Sequence, residues 1–533
     1  MLEGLTQNEF GLTLQHVRRR MRAVHPDAEV LTNLPDGIER TTFAAVADRV
    51  DRLAQALLAL GIEPGDRVGS FAWNNRRHFE LYLAAPCLGA VLHTVNVRLH
   101  PDQVLHTVAD AGDRVVFVQD SLAPALATVA DRLDAVERFV VVGPGDDGGL
   151  PRAVRYDDLL AAAPAGAPEY PELDERSAAA LCYTSGTTGD PKGVLYSHRS
   201  LCLHASSLLM ADALGLSMRD RVLALVPMSH INAWDLPFAA ALAGSDLLLP
   251  DRDLSAPTLA RFVADAGATV VACVPTVLLG LLDQVEAEGG DLTSLRLAVG
   301  GGSAVPPALA RRLEALGVEC CQAWGMTETS AISTVCRPSP RLGPDGAEAV
   351  RAKQGQPLPW VELRTVGEDG EPLVADGEAT GEFEVRGPWI AAGYFHRDRA
   401  AAADGWLRTG DIGSLDEHGY MEISDRAKDV IKSGGEWISS VELENHLIAH
   451  EAVREAAVIA CPDERWGERP LACVVLREGR EAGPEELREH LAAEFPKWWL
   501  PERFAFVAEI PKTSVGKFDK KRLRGELAAG GLT

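Results

Sequence analysis

Between an apolar run, Ala178 to Cys182, and a second one at Val194-Leu195-Tyr196 lies the segment Tyr183-Thr184-Ser185-Gly186-Thr187-Thr188-Gly189-Asp190-Pro191-Lys192-Gly193. Two short apolar runs bounding a Gly/Pro-rich stretch read as two strands joined by a loop. The loop holds four Ser/Thr hydroxyls, three glycines and one lysine. Glycines let the backbone take positive φ and approach a ligand closely, so that several N–H groups converge on one anion, while the hydroxyls add neutral donors and Lys192 adds charge. The chain must therefore fold around a sheet that carries a phosphate-gripping loop, unless the loop is mere surface, which its composition alone also allows. A Walker-type loop is disfavoured: it needs Gly-Lys-[Ser/Thr] opening a helix, whereas Lys192 follows Pro191, precedes Gly193 and leads into an extended run.

Four further segments stand out downstream. Gln322-Ala323-Trp324-Gly325-Met326-Thr327-Glu328-Thr329 reads alone as a strand followed by a turn. Thr409-Gly410-Asp411, within Trp406-Leu407-Arg408-Thr409-Gly410-Asp411, reads alone as a turn. Asp425-Arg426-Ala427-Lys428-Asp429-Val430-Ile431-Lys432-Ser433-Gly434-Gly435-Glu436-Trp437-Ile438 reads as a charged linker ending in a Gly-Gly turn. Pro511-Lys512-Thr513-Ser514-Val515-Gly516-Lys517 places a lysine near the C-terminus, where lysines are ordinarily solvated.

Together, in this order and at this spacing, the five segments resemble the signature of the adenylate-forming superfamily, which includes acyl-CoA synthetases, luciferases and the adenylation domains of peptide synthetases. The resemblance covers residues 183 to 517 of 533. It implies roles residue by residue. Thr184, Ser185, Gly186, Thr187, Thr188 and Lys192 would hold the departing phosphates. Trp324 would stack on adenine, in a segment where Gln322, Ala323, Gly325 and Met326, with Gly302 and Ser303, also face ATP or AMP. Thr327 would reach the α-phosphate, and Glu328 with Thr184 would hold Mg²⁺, a hard cation that favours oxygen ligands. Asp411 would accept from both ribose hydroxyls, as an acceptor-only carboxylate can. Arg426 and Lys432 would contact the nucleotide, Lys428 would be the hinge, and Gly434, Gly435 and Trp437 would line the approach of coenzyme A. Lys517 would bridge the acid's carboxylate and the α-phosphate. The family usually has Tyr where this chain has Trp324; the change keeps the flat ring and loses the phenol.

The mechanism so implied has two half-reactions at one site. The carboxylate attacks the α-phosphorus of ATP to give an acyl-adenylate and pyrophosphate, and a thiol, CoA, then displaces AMP. Positioning and charge neutralisation carry such chemistry. Lys517 is needed in the first half and obstructs the thiol in the second, which gives a reason for a small domain that turns about Lys428.

For the acid, Val226-Pro227-Met228-Ser229-His230-Ile231-Asn232-Ala233-Trp234-Asp235-Leu236-Pro237 resembles medium- and long-chain fatty acyl-CoA synthetases. There a tryptophan at the place of Trp234 gates the acyl tunnel and His230 lies by the carboxylate. Read alone, the two are a packed core pair. Lys432 to Ser440 favours the same branch, whose neighbour activates short thioether acids such as 3-methylmercaptopropionate. Two readings of other types stay open: an enzyme loading a carrier protein in trans, and a non-catalytic nucleotide- or acyl-binding protein. The last predicts loss of Glu328, Asp411 or Lys517, and all three are present.

Composition is that of an ordinary globular chain too long for one core, with 46% hydrophobic and 24% charged residues. The net charge of −25 divides into −23 for residues 1–425 and −2 for 426–533. Any positive patch would thus come from the smaller part, with Lys428, Lys432, Lys512, Lys517, Lys520 and Lys521, and the overall acidity argues against nucleic acid. Nine cysteines without a C-x-x-C pair read as reduced thiols. No apolar run nears the roughly eighteen residues that span a bilayer, and Met1-Leu2-Glu3-Gly4 opens no signal peptide, so a cytoplasmic location is expected. The resemblance leaves room for a homodimer.

Helix and strand patterns alternate. Thr42 to Leu60 is an amphipathic helix ending at Gly61, Gly65 to Ser70 turns into a strand, and Thr269–Val274, Leu295–Val299 and Leu309–Leu316 continue the alternation. The expectation is an α/β fold with two parts. Residues 1–425 form a large N-terminal domain of helix-covered β-sheets plus a β-barrel-like subdomain, and 426–533 a small mobile α+β C-terminal domain.

Overall fold

The computed structural model describes residues 4, 6–7, 9–184, 191–397, 404–426, 428–433, 436–463, 465–513 and 518–532, with only the backbone of 436 and 437. Among the described residues, two large sheets form the N-terminal part. One has nine strands, in the order Gln356–Pro357, Ala331–Val335, Glu319–Met326, Leu297–Gly301, Val270–Cys273, Arg221–Ala224, Asp246–Leu249, Glu29–Leu34 and Gly37–Thr42, parallel through its centre. The other has seven, in the order Ala153–Arg155, Arg138–Val142, Asp113–Gln119, Arg67–Phe71, Val91–Thr94, Ala178–Tyr183 and Gly193–Ser197, parallel except for the last pair.

The strands read as near-continuous apolar runs because both faces are covered, and side chains alternate between the faces. Val222 and Ala224 face a central core that also takes Val270, Ala272, Val115 and Phe117. Their neighbours Leu223, Leu225 and Val271 face an outer layer with Phe262 and Leu282, while Val116 and Val118 face another with Val108 and Leu126. The central core lies between the two sheets, filled by helices such as Phe43–Ala59, Arg76–Cys87 and Leu236–Ala243. The helix expected after Thr42 is the first of these; the Thr42 hydroxyl accepts from Ala45 N at 3.3 Å and caps it.

Residues Glu362–Val366, Gly381–Arg386, Leu407–Leu415 and Met421–Arg426 form an antiparallel sheet. This is the β-rich subdomain expected ahead of the small C-terminal part; in the described residues its edge strands, 362–366 and 421–426, do not pair with each other. Thr409-Gly410-Asp411, which reads alone as a turn, lies inside the Leu407–Leu415 strand, where Gly410 at φ +72° absorbs an irregularity without ending the ladder.

The C-terminal part is a five-stranded sheet built on the hairpin Val453–Asp463 and Gly467–Leu476. Val458 and Val474 pack beneath helices Ser440–Ala449 and Pro484–Ala492, while Ile459 and Cys473 pack on the other face with Leu523 of Lys520–Ala528. Asp425, at the end of the four-stranded sheet, accepts from Ser440 N at 2.7 Å and from the Ser440 hydroxyl. Lys520 reaches Ser440 Oγ at 2.6 Å and Glu444 Oε1 at 2.7 Å. It is therefore a buried ion-pair partner and not part of an exposed positive patch. All nine cysteines are free, and only Cys320 is partly exposed.

Candidate active site

A cavity of about 660 Å³ opens where the nine-stranded sheet, the phosphate-loop hairpin, the four-stranded sheet and the C-terminal part meet. Val226, Ile231, Trp234, Val274, Val277 and Ile332 give it an apolar end, and Thr184, Lys192, Trp324, Thr327, Glu328 and Arg426 a polar one. Lys428 and Lys512 reach the same space from the C-terminal side.

At the polar end the Glu319–Met326 strand delivers Trp324, almost fully buried, with its ring beside the cavity. Its indole Nε1 donates to Asp411 Oδ2 at 2.8 Å, and Arg426 Nε lies 3.0 Å from Asp411 Oδ1. The Asp411 charge, together with burial acting in the opposite sense, leaves the Arg426 guanidinium held still more firmly protonated than usual. Gly325 follows at a register shift, where a Cβ would run into the Ala331 carbonyl; only glycine allows the two backbones to approach so closely.

The hairpin expected around the phosphate loop is present, with Tyr183 opposite Gly193. Its base is pinched by Thr184: its N–H donates to Lys192 O at 2.9 Å, and its hydroxyl accepts from Lys192 N at 3.1 Å. Lys192 Nζ sits 4.9 Å from the ring centre of Tyr394, whose hydroxyl donates to Glu328 Oε1 at 2.6 Å. Burial and the neighbouring Glu328 carboxylate push the Tyr394 phenol well above its ordinary pKa, so it remains a donor. The Tyr196 hydroxyl donates to Thr327 O at 2.7 Å and fixes that turn. Glu328 thus has one oxygen oriented by Tyr394 and keeps further acceptor capacity beside Thr184 at the cavity wall. An Mg²⁺ that takes most of its ligands from phosphates and water fits such a donor set.

At the apolar end, His230 and Trp234 both line the cavity, which brings together the pair the sequence points to. Five consecutive non-glycine residues, Ile231 to Asp235, take left-handed φ values from +48° to +58°. Such a turn costs roughly 1–2 kcal/mol per residue, so surrounding contacts must hold it. Trp234 packs so closely over Gly301 that a Cβ there would come within 2.8 Å of the indole.

Of the other expected residues, Gly302, Ala323 and Met326 line the cavity. Ser303, Gln322, Asp411 and Lys432 do not; Gln322 Oε1 accepts from Val305 N at 2.8 Å and braces the 302–305 loop, the Asp411 carboxylate is held by Trp324 and Arg426 just behind the wall, and Lys432 is exposed with its N–H on Glu468. Ser185, Gly186, Thr187, Thr188, Gly434, Gly435, Lys517 and the Trp437 side chain lie outside the described residues. Sequence reasoning missed Tyr394, Tyr196 and Arg98, and placed Lys512 in a positive patch without a place at the site; the fold brings all four to the site or against it. Lys512, in the same segment as Lys517, pairs with Glu455 at 2.8 Å. Nothing local in the sequence singles out Tyr394, which lies 66 residues beyond Glu328.

Comparison with known proteins agrees with this arrangement. The family model described as AMP-binding enzyme matches residues 18–395, and that described as AMP-binding enzyme C-terminal domain matches 442–517. The chain is 44% identical to a long-chain-fatty-acid–CoA ligase of Thermus thermophilus over 98% of each chain. It is 42% identical to a 3-methylmercaptopropionyl-CoA ligase of Ruegeria pomeroyi over 94% of each. Its fold superposes on the crystal structure of the anthranilate CoA ligase AuaEII in complex with anthranoyl-AMP with a TM-score of 0.87 at 27% identity, covering 97% of this chain and 98% of that one. With both family models matched in order and relatives of this identity along almost its whole length, the chain belongs to the family of AMP-binding, adenylate-forming enzymes.

Proposed function

We propose that the protein is an AMP-forming carboxylic acid:CoA ligase that activates a fatty acid. The observation that carries the reading is the continuity of the cavity: an apolar end at Trp234 and a nucleotide-type end at Trp324 share one space, so an acid's carboxylate can meet an α-phosphate within it. Trp324 stacks on adenine, and Asp411, held by Trp324 and Arg426, accepts from the ribose hydroxyls. Thr327 receives the α-phosphate, while the 184–192 loop and Lys192 hold the β- and γ-phosphates. Glu328 and the Thr184 hydroxyl would hold Mg²⁺, which when bound neutralises phosphate charge. His230 lies at the carboxylate end of the acyl space.

Residues 426–533 act as the mobile domain, hinged at Lys428. In one orientation Lys517 bridges carboxylate and α-phosphate; in the other Gly434, Gly435 and Trp437 admit CoA, with Lys432 approaching the nucleotide. A cytoplasmic location belongs to the same reading; among the described residues no helix is long and apolar enough to cross a membrane. The similarity to a 3-methylmercaptopropionyl-CoA ligase favours a second reading, in which the acid is a short thioether acid. ATP–pyrophosphate exchange, measured with acids from acetate to octadecanoate and with 3-methylmercaptopropionate, separates the two by the acid with the highest kcat/KM. CoA thioester formation then tests the second half-reaction. Absence of exchange with every acid refutes both.

A further inference from the structure

The left-handed turn at Ile231–Asp235 calls for a restraint, and the restraint is visible. Asp235 stands at the N-cap of helix Leu236–Ala243, where an aspartate ordinarily accepts from the helix's first N–H groups. Here its side chain makes no capping bond. Instead Oδ2 lies 2.8 Å from Nδ1 of His204, on the Gly193–Ser197 side of the core in helix His198–Ser207, and both side chains are essentially inaccessible. The other ring nitrogen, Nε2, lies 3.0 Å from Ile332 O. Ile332 follows a second left-handed pair, Ser330 and Ala331, and both Ala331 and Ile332 line the cavity. The Trp389 ring meets the imidazole edge to face at 5.6 Å. One buried imidazole thus ties together two strained backbone segments that both contribute to the cavity wall. A buried pair of this kind is costly to form and costlier to break from one side, and it replaces a simple helix cap that would have served stability alone.

We propose that His204 and Asp235 form a positioning strut that sets acid chain length, by fixing the handedness of the 231–235 turn and so holding Trp234 over Gly301 as the boundary of the acyl space. The inference rests on the reading above that the apolar end receives the acid. Neither residue lines the cavity; the pair acts through Trp234.

The test compares Asp235→Ala, Asp235→Asn, Trp234→Ala and the double variant Trp234→Ala/Asp235→Ala with the unaltered chain. Exchange is measured with a series of straight-chain acids, alongside circular dichroism and thermal melting. Asp235→Ala should raise the ratio of kcat/KM for long over short acids by about tenfold, the scale of a pocket boundary moving by a methylene or more. The change should lie in the KM for the acid, with the KM for ATP unchanged. Asp235→Asn, which can still accept from the imidazole, should shift the ratio in the same direction but less. In the Trp234→Ala background, Asp235→Ala should add nothing to the ratio. The proposal is overturned if Asp235→Ala lowers all acids together, if the ratio stays or falls, or if the two substitutions add independently. Should Asp235→Ala fail to fold, the ratio in Asp235→Asn decides alone, an unchanged or lower ratio overturning the proposal. Absence of exchange in the unaltered chain would instead strike the parent reading.

Discussion

The indole N–H of Trp324 donates to Asp411 at 2.8 Å, and this bond joins the residue proposed to stack on adenine to the one proposed to accept from ribose. Asp411 then carries one donor on each oxygen, Trp324 on Oδ2 and Arg426 on Oδ1. A carboxylate offers about four lone-pair sites, so two remain for the ribose hydroxyls. Replacing Trp324 by Phe keeps the flat face and removes the N–H. The expected outcome is a rise of about tenfold or more in the KM for ATP with little change in kcat, the usual consequence of losing one buried bond to a charged group. An unchanged KM would mean that Arg426 alone orients Asp411.

Tyr394 orients Glu328 through a 2.6 Å bond and at the same time lies under the ammonium of Lys192. In Tyr394→Phe the ring stays beneath Lys192 while Glu328 loses its orienting donor. The Mg²⁺ concentration that half-saturates ATP–pyrophosphate exchange should rise, by about threefold or more, as outer-shell partners typically tune metal affinity. Titrating exchange with Mg²⁺ at fixed ATP checks this, and an unmoved midpoint rules out the orienting role.

Glu444 sits at the junction of the C-terminal helices with Asp425, Ser440 and Lys520, and burial raises its pKa to about 7 despite the Lys520 charge. A carboxyl whose folded pKa lies above its unfolded value binds more protons when folded. Its contribution to stability is therefore complete below its ordinary range, near 4.5, and is lost as pH rises through about 7. Lys520, whose pKa is raised above 10.5, stays charged throughout that window. The stability of the unaltered chain relative to Glu444→Gln should fall as pH rises from about 5 to 7, as followed by thermal melting. Lys520→Met should move that loss to higher pH, because it removes the charge that favours the ionised Glu444 carboxyl. A difference that grows with pH would reverse the sign of the argument.

Particular residues show what could be read in advance. The hairpin at Tyr183 to Gly193 was legible because its flanking strands are apolar runs and its loop chemistry is dense. The helix after Thr42 was legible because its period and its cap agree. Thr409-Gly410-Asp411 misleads when read alone, since a positive-φ glycine marks a turn locally but here sits in a ladder whose partners, Glu382 and Arg426, lie elsewhere in the chain. The turn at Ile231–Asp235 was not legible at all. None of its residues is glycine, and its handedness comes from His204 and Gly301, contacts that only tertiary packing supplies. Tyr394 escaped for the same reason.

The sharpest prediction concerns the two residues at opposite ends of the proposed domain rotation. On the proposed mechanism Lys517 supplies a charge wanted only while a carboxylate approaches the α-phosphate and would obstruct the thiol afterwards. Lys517→Ala should therefore abolish ATP–pyrophosphate exchange, by about a thousandfold or more as for loss of a preorganised charge at the reacting centre, yet spare thioester formation from supplied acyl-adenylate. Gly435→Leu should do the reverse, because on the proposed reading a side chain there would obstruct the approach of CoA and spare adenylation. The pair is measured on the same two half-reactions, so a fold defect would lower both rates in one variant. Equal loss of both half-reactions in a Lys517→Ala protein that melts as the unaltered chain does would mean that a single domain orientation serves the whole reaction.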